Sequence, residues 1–162
     1  MDQEPDVPEV RPPTIDDLRR LCQALEEAGA RYVLIGGFAV ILHGGERTTK
    51  DIDLLVDAGP DNVVRLKKAL SVLEDDAASE IDVGDLEKYT VVRVADEVMV
   101  DLLGIACGVR WDEANQTALR MDIDGVPVIV ADRATLIRTK QTVRLSDAAD
   151  RAWLEERSED GS

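Results

Sequence analysis

The stretch IGGFAVILHGGERTTKDIDLLV, running from Ile35 to Val56, carries the reading of this chain. It opens on the adjacent glycines Gly36 and Gly37 and closes on two aspartates, Asp51 and Asp53, inside an apolar strand-like run. Asp is a poor strand former. In a strand, residues i and i+2 share a face, so Asp51 and Asp53 point one way and Ile52 and Leu54 the other. Two like charges this close repel each other, more so when partly buried. A solvated strand end would tolerate them. Otherwise a cation or strong donors must neutralise them, and Mg²⁺, a hard ion held by one or two carboxylates plus substrate phosphates, is the expected cation.

A third acid strengthens the second alternative. Asp101 lies in EVMVDLLG, another apolar run, where a carboxylate is costly unless paired or liganding. If that run lies beside DIDLLV, three carboxylates on neighbouring strands form a two-metal platform suited to phosphoryl or nucleotidyl transfer. The glycines fit this chemistry. After the short strand RYVLI, Gly36-Gly37 would let backbone N–H groups approach a phosphate at a helix start; a plain tight turn is the alternative. The stretch contains neither GxxxxGK[ST] nor GxGxxG, which excludes a P-loop and leaves a dinucleotide-binding reading without its fingerprint.

Outward from this stretch, the order of elements predicts a mixed sheet with helices packed on it, an α/β (α+β) single domain. Thr14 caps a helix whose apolar stripe is Ile15, Leu18, Leu21, Cys22 and Leu25, and Gly29 stops it. FAVILHG continues the glycine pair as a short helix. After DIDLLV and the turn-rich DAGPDN, the residues Val63, Leu66, Ala69, Leu70 and Leu73 mark a helix reaching about Asp75. KYTVVRVADEVMVDLLGI predicts a hairpin turning near Ala95–Glu97. WDEANQTAL suggests a short helix, and RMDIDGVPVIV predicts two strands about Asp124-Gly125. Two final helices have Asp132 and Ser146 as candidate N-caps.

The 162 residues suggest one domain, and 44% hydrophobic content is ordinary for a globular chain. Residues 1–13 hold four of the six prolines and few apolar groups, so we expect a disordered acidic arm there, a domain over 14–157 and a disordered tail over 158–162. No apolar run reaches the length of about 20 residues needed to span a bilayer. The N-terminus has no basic and apolar leader pattern, so a cytoplasmic location is expected. The two cysteines, Cys22 and Cys107, read as buried or inert thiols. The net charge of −15 argues against bulk nucleic-acid binding, which depends on Lys/Arg contacts to phosphates.

With these motifs in place, the chain resembles the nucleotidyltransferase superfamily that includes the polymerase β-like enzymes. Gly36-Gly37 followed after 13 residues by Asp51-Ile52-Asp53 carries the resemblance. The fuller string YVLIGGFAVILHGGERTTKDIDLLV, with VIVADRATLIRTKQTVRLSDAADRAWL downstream, is similar to small bacterial members. Those are AbiEii-like toxins of toxin–antitoxin systems and small antibiotic-modifying enzymes. The resemblance covers roughly residues 31–154, with 81–125 matching only in general pattern. Many members have Gly-Ser where this chain has Gly36-Gly37, so a serine contact to phosphate is missing here.

The resemblance implies a nucleotidyltransferase fold and transfer of a nucleoside monophosphate from an NTP to an acceptor hydroxyl. It implies that Gly36 and Gly37 hold the triphosphate and that Asp51 and Asp53 ligate two Mg²⁺ ions. Asp101 would complete the metal site and help activate the hydroxyl, and Lys140, with Arg47 or Lys50, would meet the phosphates. The toxin-like branch implies tRNA or a protein as acceptor and a cognate antitoxin as partner. The alternatives are a small-molecule acceptor of the aminoglycoside type, which the acidity would suit, and a non-catalytic nucleotide- or partner-binding module.

The remaining residues have plainer readings. His43, the one histidine, reads as a helix-end or loop hydrogen bond, with a nucleotide contact as the alternative. Arg47 could pair with Asp51 or with phosphate. Lys140 shares its predicted helix with Arg133, Arg138 and Arg144, either a solvated basic face or a phosphate contact. Asp147 reads as a cap on the last helix, and Trp111 and Trp153 as packing residues.

Overall fold

Thr14 starts the first helix. In the computed structural model, which describes residues 10–140 and 145–159, α1 spans Ile15–Ala28. The Asp17 N–H donates to the Thr14 hydroxyl, and the Thr14 N–H donates to the Asp17 carboxylate, a reciprocal capping box. Gly29, at φ 65°, ends the helix in the left-handed conformation. Leu18, Leu21, Cys22 and Leu25 are fully buried, whereas Ile15 is 40% exposed. As the first helical residue, Ile15 leans back over the cap rather than onto the core. Residues 1–9 of the expected arm, 160–162 of the expected tail, and Arg144 lie outside the described residues.

The chain continues through β1 (Tyr32–Ile35), α2 (Gly36–Leu42), β2 (Asp51–Val56) and α3 (Pro60–Leu70). A 3₁₀ turn (Ala77–Glu80), α4 (Asp85–Lys88) and the hairpin of β3 (Val91–Ala95) and β4 (Met99–Leu103) follow. The remainder is β5 (Ile105–Ala106), β6 (Val109–Arg110), α5 (Trp111–Thr117), β7 (Leu119–Ile123), β8 (Val126–Val130), α6 (Arg133–Thr139) and α7 (Leu145–Glu159). Six strands form one mixed sheet in the order β3-β4-β2-β1-β8-β7. The β4–β2 and β1–β8 pairs are parallel, and the other three are antiparallel. β1 lies near the middle and all four of its residues are buried, as expected of a strand covered on both faces.

Several predicted boundaries move. The third helix ends at Leu70, not near Asp75. Ser71 caps it, donating its hydroxyl to the Lys68 carbonyl at 2.6 Å, and Leu73 still reaches the core from the turn that follows. Ser146 is the second residue of α7, inside the helix rather than at its cap. Lys140 is the C-cap of α6 and not an interior helical residue. The Asp124-Gly125 turn has two positive φ angles, 48° and 85°, the geometry that matches strand twist in a tight hairpin.

Fully buried Asp96 builds the β3–β4 turn. It accepts the N–H groups of Asp75, Ala77 and Glu97 at 2.6–2.9 Å. Arg11 joins this end of the sheet to α1: its guanidinium forks onto Asp17 at 2.6 Å, and its N–H donates to the Glu97 carbonyl at 3.1 Å. Cys22 is buried. Cys107 is exposed, so burial holds for Cys22 alone; it sits at φ 48° in the turn between β5 and β6. Trp111 and Trp153 pack against the core from its margin. No helix among the described residues is long and apolar enough to cross a membrane.

Candidate active site

Alternation along β2 buries Ile52 and Leu54 completely and leaves Asp51 and Asp53 half-buried on the opposite face. The parallel pairing of β2 with β4 sets Asp53 directly beside Asp101. The carboxylates of Asp51, Asp53 and Asp101 each offer an oxygen, and these oxygens lie within 4.8 Å of one another. Asp101 is the most enclosed, at 7% exposure. Three acids this close call for positive charge.

Part of that charge comes from Arg93, which the sequence reading did not single out. Arg93 is the antiparallel partner of Asp101 on the edge strand β3. Its Nε and Nη2 donate to the two Asp101 oxygens at 2.8 and 2.9 Å, a bidentate pair, and Nη2 reaches Asp51 at 3.5 Å. The bond to Asp101 makes the guanidinium hold its proton more tightly than usual. A signal existed in the sequence. The predicted hairpin puts Arg93 and Asp101 on neighbouring strands, but its turn at Ala95–Glu97 is centred one residue short of the observed register, in which Arg93 faces Asp101.

Gly36 and Gly37 enter α2 directly from β1. Gly36 adopts φ +75°, and a Cβ there would meet Asp53 Oδ2 at 2.2 Å. A Cβ on Gly37 would meet Thr49 at 2.7 Å and the Arg47 guanidinium carbon at 3.3 Å. The glycine pair therefore lets the start of α2 lie against the aspartates and the loop before them.

Lys140 is buried, at 5% exposure, where α6 turns towards α7. Its ammonium lies 3.3 Å from Asp147 and 2.9 Å from Asp150. Arg47 closes onto Asp150 rather than onto Asp51, the partner considered for it. Asp147 lies in the first turn of α7, where its carboxylate accepts from the Lys140 ammonium; the residues that would form the cap lie outside the described residues. Lys50 is exposed and makes no ion pair among the described residues. Arg138 pairs with Glu113, away from this network. His43 caps α2, with Nε2 at 2.9 Å from the Ala131 carbonyl, which matches its plainer reading.

Two adjoining cavities share Asp51, Asp53, Lys140 and Asp147. One, of about 220 Å³, adds Gly36, Arg93 and Asp101. The other, of about 240 Å³, adds Gly37, Arg47 and Lys50. Larger hollows of about 500 and 550 Å³ lie by Trp111 and Trp153, but neither is lined by any of the three clustered aspartates. Chemistry rather than size marks the site. Its donor set is all oxygen, in excess negative charge, and beside cations, which suits a hard divalent ion and a polyphosphate.

The fold is similar to that of a candidate nucleotidyltransferase from Thermotoga maritima whose crystal structure is known. The two are 15% identical and superpose with a TM-score of 0.57 over 91% of this chain and 96% of that one. The family model for the nucleotidyl transferase AbiEii toxin of type IV toxin–antitoxin systems matches residues 19–152. The chain belongs to this family and is a nucleotidyltransferase. No curated protein matches it at a significant level.

Proposed function

We propose that the protein moves a nucleoside monophosphate from an NTP to a hydroxyl of tRNA or of a target protein, as a toxin restrained by a cognate antitoxin. One observation carries the proposal: three carboxylates converge within 4.8 Å beside a wall that includes Arg47, Lys50 and Lys140. In this reading Asp51, Asp53 and Asp101 hold Mg²⁺, in a two-ion site. The metal would supply charge neutralisation and polarisation of the phosphoryl oxygens when bound.

The chain's own residues do the rest. Gly36 and Gly37 bring backbone N–H groups near the phosphates without an intervening side chain. Arg47, Lys50 and Lys140 balance the triphosphate charge and the pyrophosphate that departs. Asp101 accepts the proton of the acceptor hydroxyl. The deprotonated acceptor oxygen then forms a bond to the α-phosphorus as the α–β bridging bond breaks, and pyrophosphate leaves in line with the bonding pair. The single domain acts in the cytoplasm, where NTPs are made.

The test is transfer of label from each α-³²P NTP, in Mg²⁺, to unfractionated tRNA, to total protein and to an aminoglycoside. Label on tRNA or protein, abolished by Asp53→Asn, supports the proposal. Label on the aminoglycoside alone assigns the small-molecule reading, which the net charge of −15 favours. NTP binding with no transfer to any acceptor would leave a binding module.

A further inference from the structure

We propose that Arg93 recognises the acceptor, through a phosphate that neighbours the attacking hydroxyl. The inference rests on the nucleotidyltransferase reading of the same site and adds the acceptor's chemistry to it.

The charges around the aspartates are unevenly arranged. Arg47 and Lys50 line only the cavity on the Gly37 side, Lys140 borders both cavities, and Arg93 lines only the cavity on the Asp101 side. A triphosphate settles where most of the cations and Gly37 are. In-line displacement puts the attacking and leaving oxygens on opposite sides of phosphorus. The acceptor therefore arrives from the Asp101 side, where Arg93 is the cation not shared with the other cavity.

Arg93 is built to offer one edge. Its Nε and Nη2 are fixed by Asp101, while the side chain stays 57% exposed and Nη1 makes no hydrogen bond among the described residues. A guanidinium is a rigid planar fork that matches phosphate oxygens, and its tie to Asp101 sets its orientation before any ligand arrives. The same tie couples the two groups: what Nη1 grips is held beside the carboxylate that takes the hydroxyl proton. Asp101 has lone pairs beyond the two that Arg93 uses, so it still accepts. The neighbouring wall is Val91, Leu103 and Ala106, and apart from Lys140, which borders both cavities and is paired with Asp147 and Asp150, this side offers no further cation. The site reads one phosphate, not a backbone tract, consistent with a chain of net charge −15. An RNA end and a phosphorylated sugar share this chemistry; an aminoglycoside, itself cationic, does not.

The experiment uses the full chain with Arg93→Ala and Arg93→Lys, each checked by thermal melting. NTP affinity in Mg²⁺ is measured by calorimetry. Acceptor KM and kcat are then measured with unfractionated tRNA, ribose 5-phosphate and an aminoglycoside. We expect NTP affinity within about twofold of wild type, and a KM for the phosphate-bearing acceptor raised about tenfold or more in Arg93→Ala, with partial rescue in Arg93→Lys. The slope of log affinity for an oligoribonucleotide against log salt should lose about 0.7, the value for one phosphate contact. Which of tRNA and ribose 5-phosphate responds identifies the source of the phosphate.

Three results overturn the proposal while leaving the nucleotide site standing. They are an unchanged acceptor KM, neither transfer to nor binding of a phosphate-bearing probe by wild type that binds NTP, and transfer to the aminoglycoside that Arg93→Ala leaves intact. NTP affinity falling about tenfold in Arg93→Ala would make the residue a triphosphate contact instead. Wild type that binds no NTP overturns the site reading itself, and this inference with it.

Discussion

Gly36 and Asp53 are so close that no side chain fits between them: a Cβ on Gly36 would lie 2.2 Å from Asp53 Oδ2. Gly36 opens α2 directly after β1, whose last residue, Ile35, pairs with Asp53 on the antiparallel strand β2. Gly36→Ala must adopt a left-handed backbone, at about 1–2 kcal/mol, and must also push Asp53 aside. We expect a lower urea midpoint and loss of Mg²⁺-dependent NTP binding. A variant that binds NTP normally would mean the Asp53 carboxylate has no fixed role.

Lys140 lies between two enclosed acids, Asp147 and Asp150. Removing one partner of a buried charge pair typically costs about 3–5 kcal/mol. Arg47 also pairs with Asp150 and offsets part of this loss. Lys140→Met should therefore unfold earlier in urea, and Asp147→Asn introduced alongside it should recover part of the difference. If Lys140→Met is as stable as wild type, the network is not coupled as described.

The Arg11 fork, together with the Thr14 N–H and hydroxyl, holds the Asp17 carboxyl well below the usual carboxylate range. The unfolded chain thus binds more protons at Asp17 near its ordinary value of about 3.9. The associated stability is complete above that pH and is lost as pH falls through the lower folded value. Denaturation of Asp17→Asn should show a flatter dependence on pH below about 4 than wild type. Equal slopes would remove Asp17 from the acid transition.

The two cysteines should react at different rates. Burial pushes the Cys22 thiol up to about 12, so it carries almost no thiolate at neutral pH. Cys107 is exposed. A chromogenic disulfide reagent at pH 8 should label one thiol quickly and the second only on unfolding. Cys107→Ser should abolish the fast phase, and Cys22→Ser should leave it intact.

The aspartate pair was readable because period-two alternation is a local property: Ile52 and Leu54 inward require Asp51 and Asp53 outward. Asp101 was readable only conditionally. Its neighbour β2 lies far back in the chain, and no local signal states that β2 and β4 pair in parallel. Arg93 was missed because an Arg in an apolar edge strand passes for a solvated residue, and because the predicted turn sits one residue short of the register that pairs it with Asp101. The burial of Lys140, and its hold on Asp147 and Asp150, depends on how α7 folds back onto α6. Spacing along a helix carries no information about that. Short elements such as α4, β5 and β6 follow from packing around the sheet, and their sequences show no period long enough to read.

The most direct measurement is calorimetric titration of each NTP in Mg²⁺ into wild type and into the double variant Asp51→Ala, Asp53→Ala. Saturable, Mg²⁺-dependent binding to wild type that disappears in a folded double variant is the expected result. Equal binding to both proteins, or no binding of any NTP to wild type, would contradict a nucleotide site built on Asp51, Asp53 and Asp101.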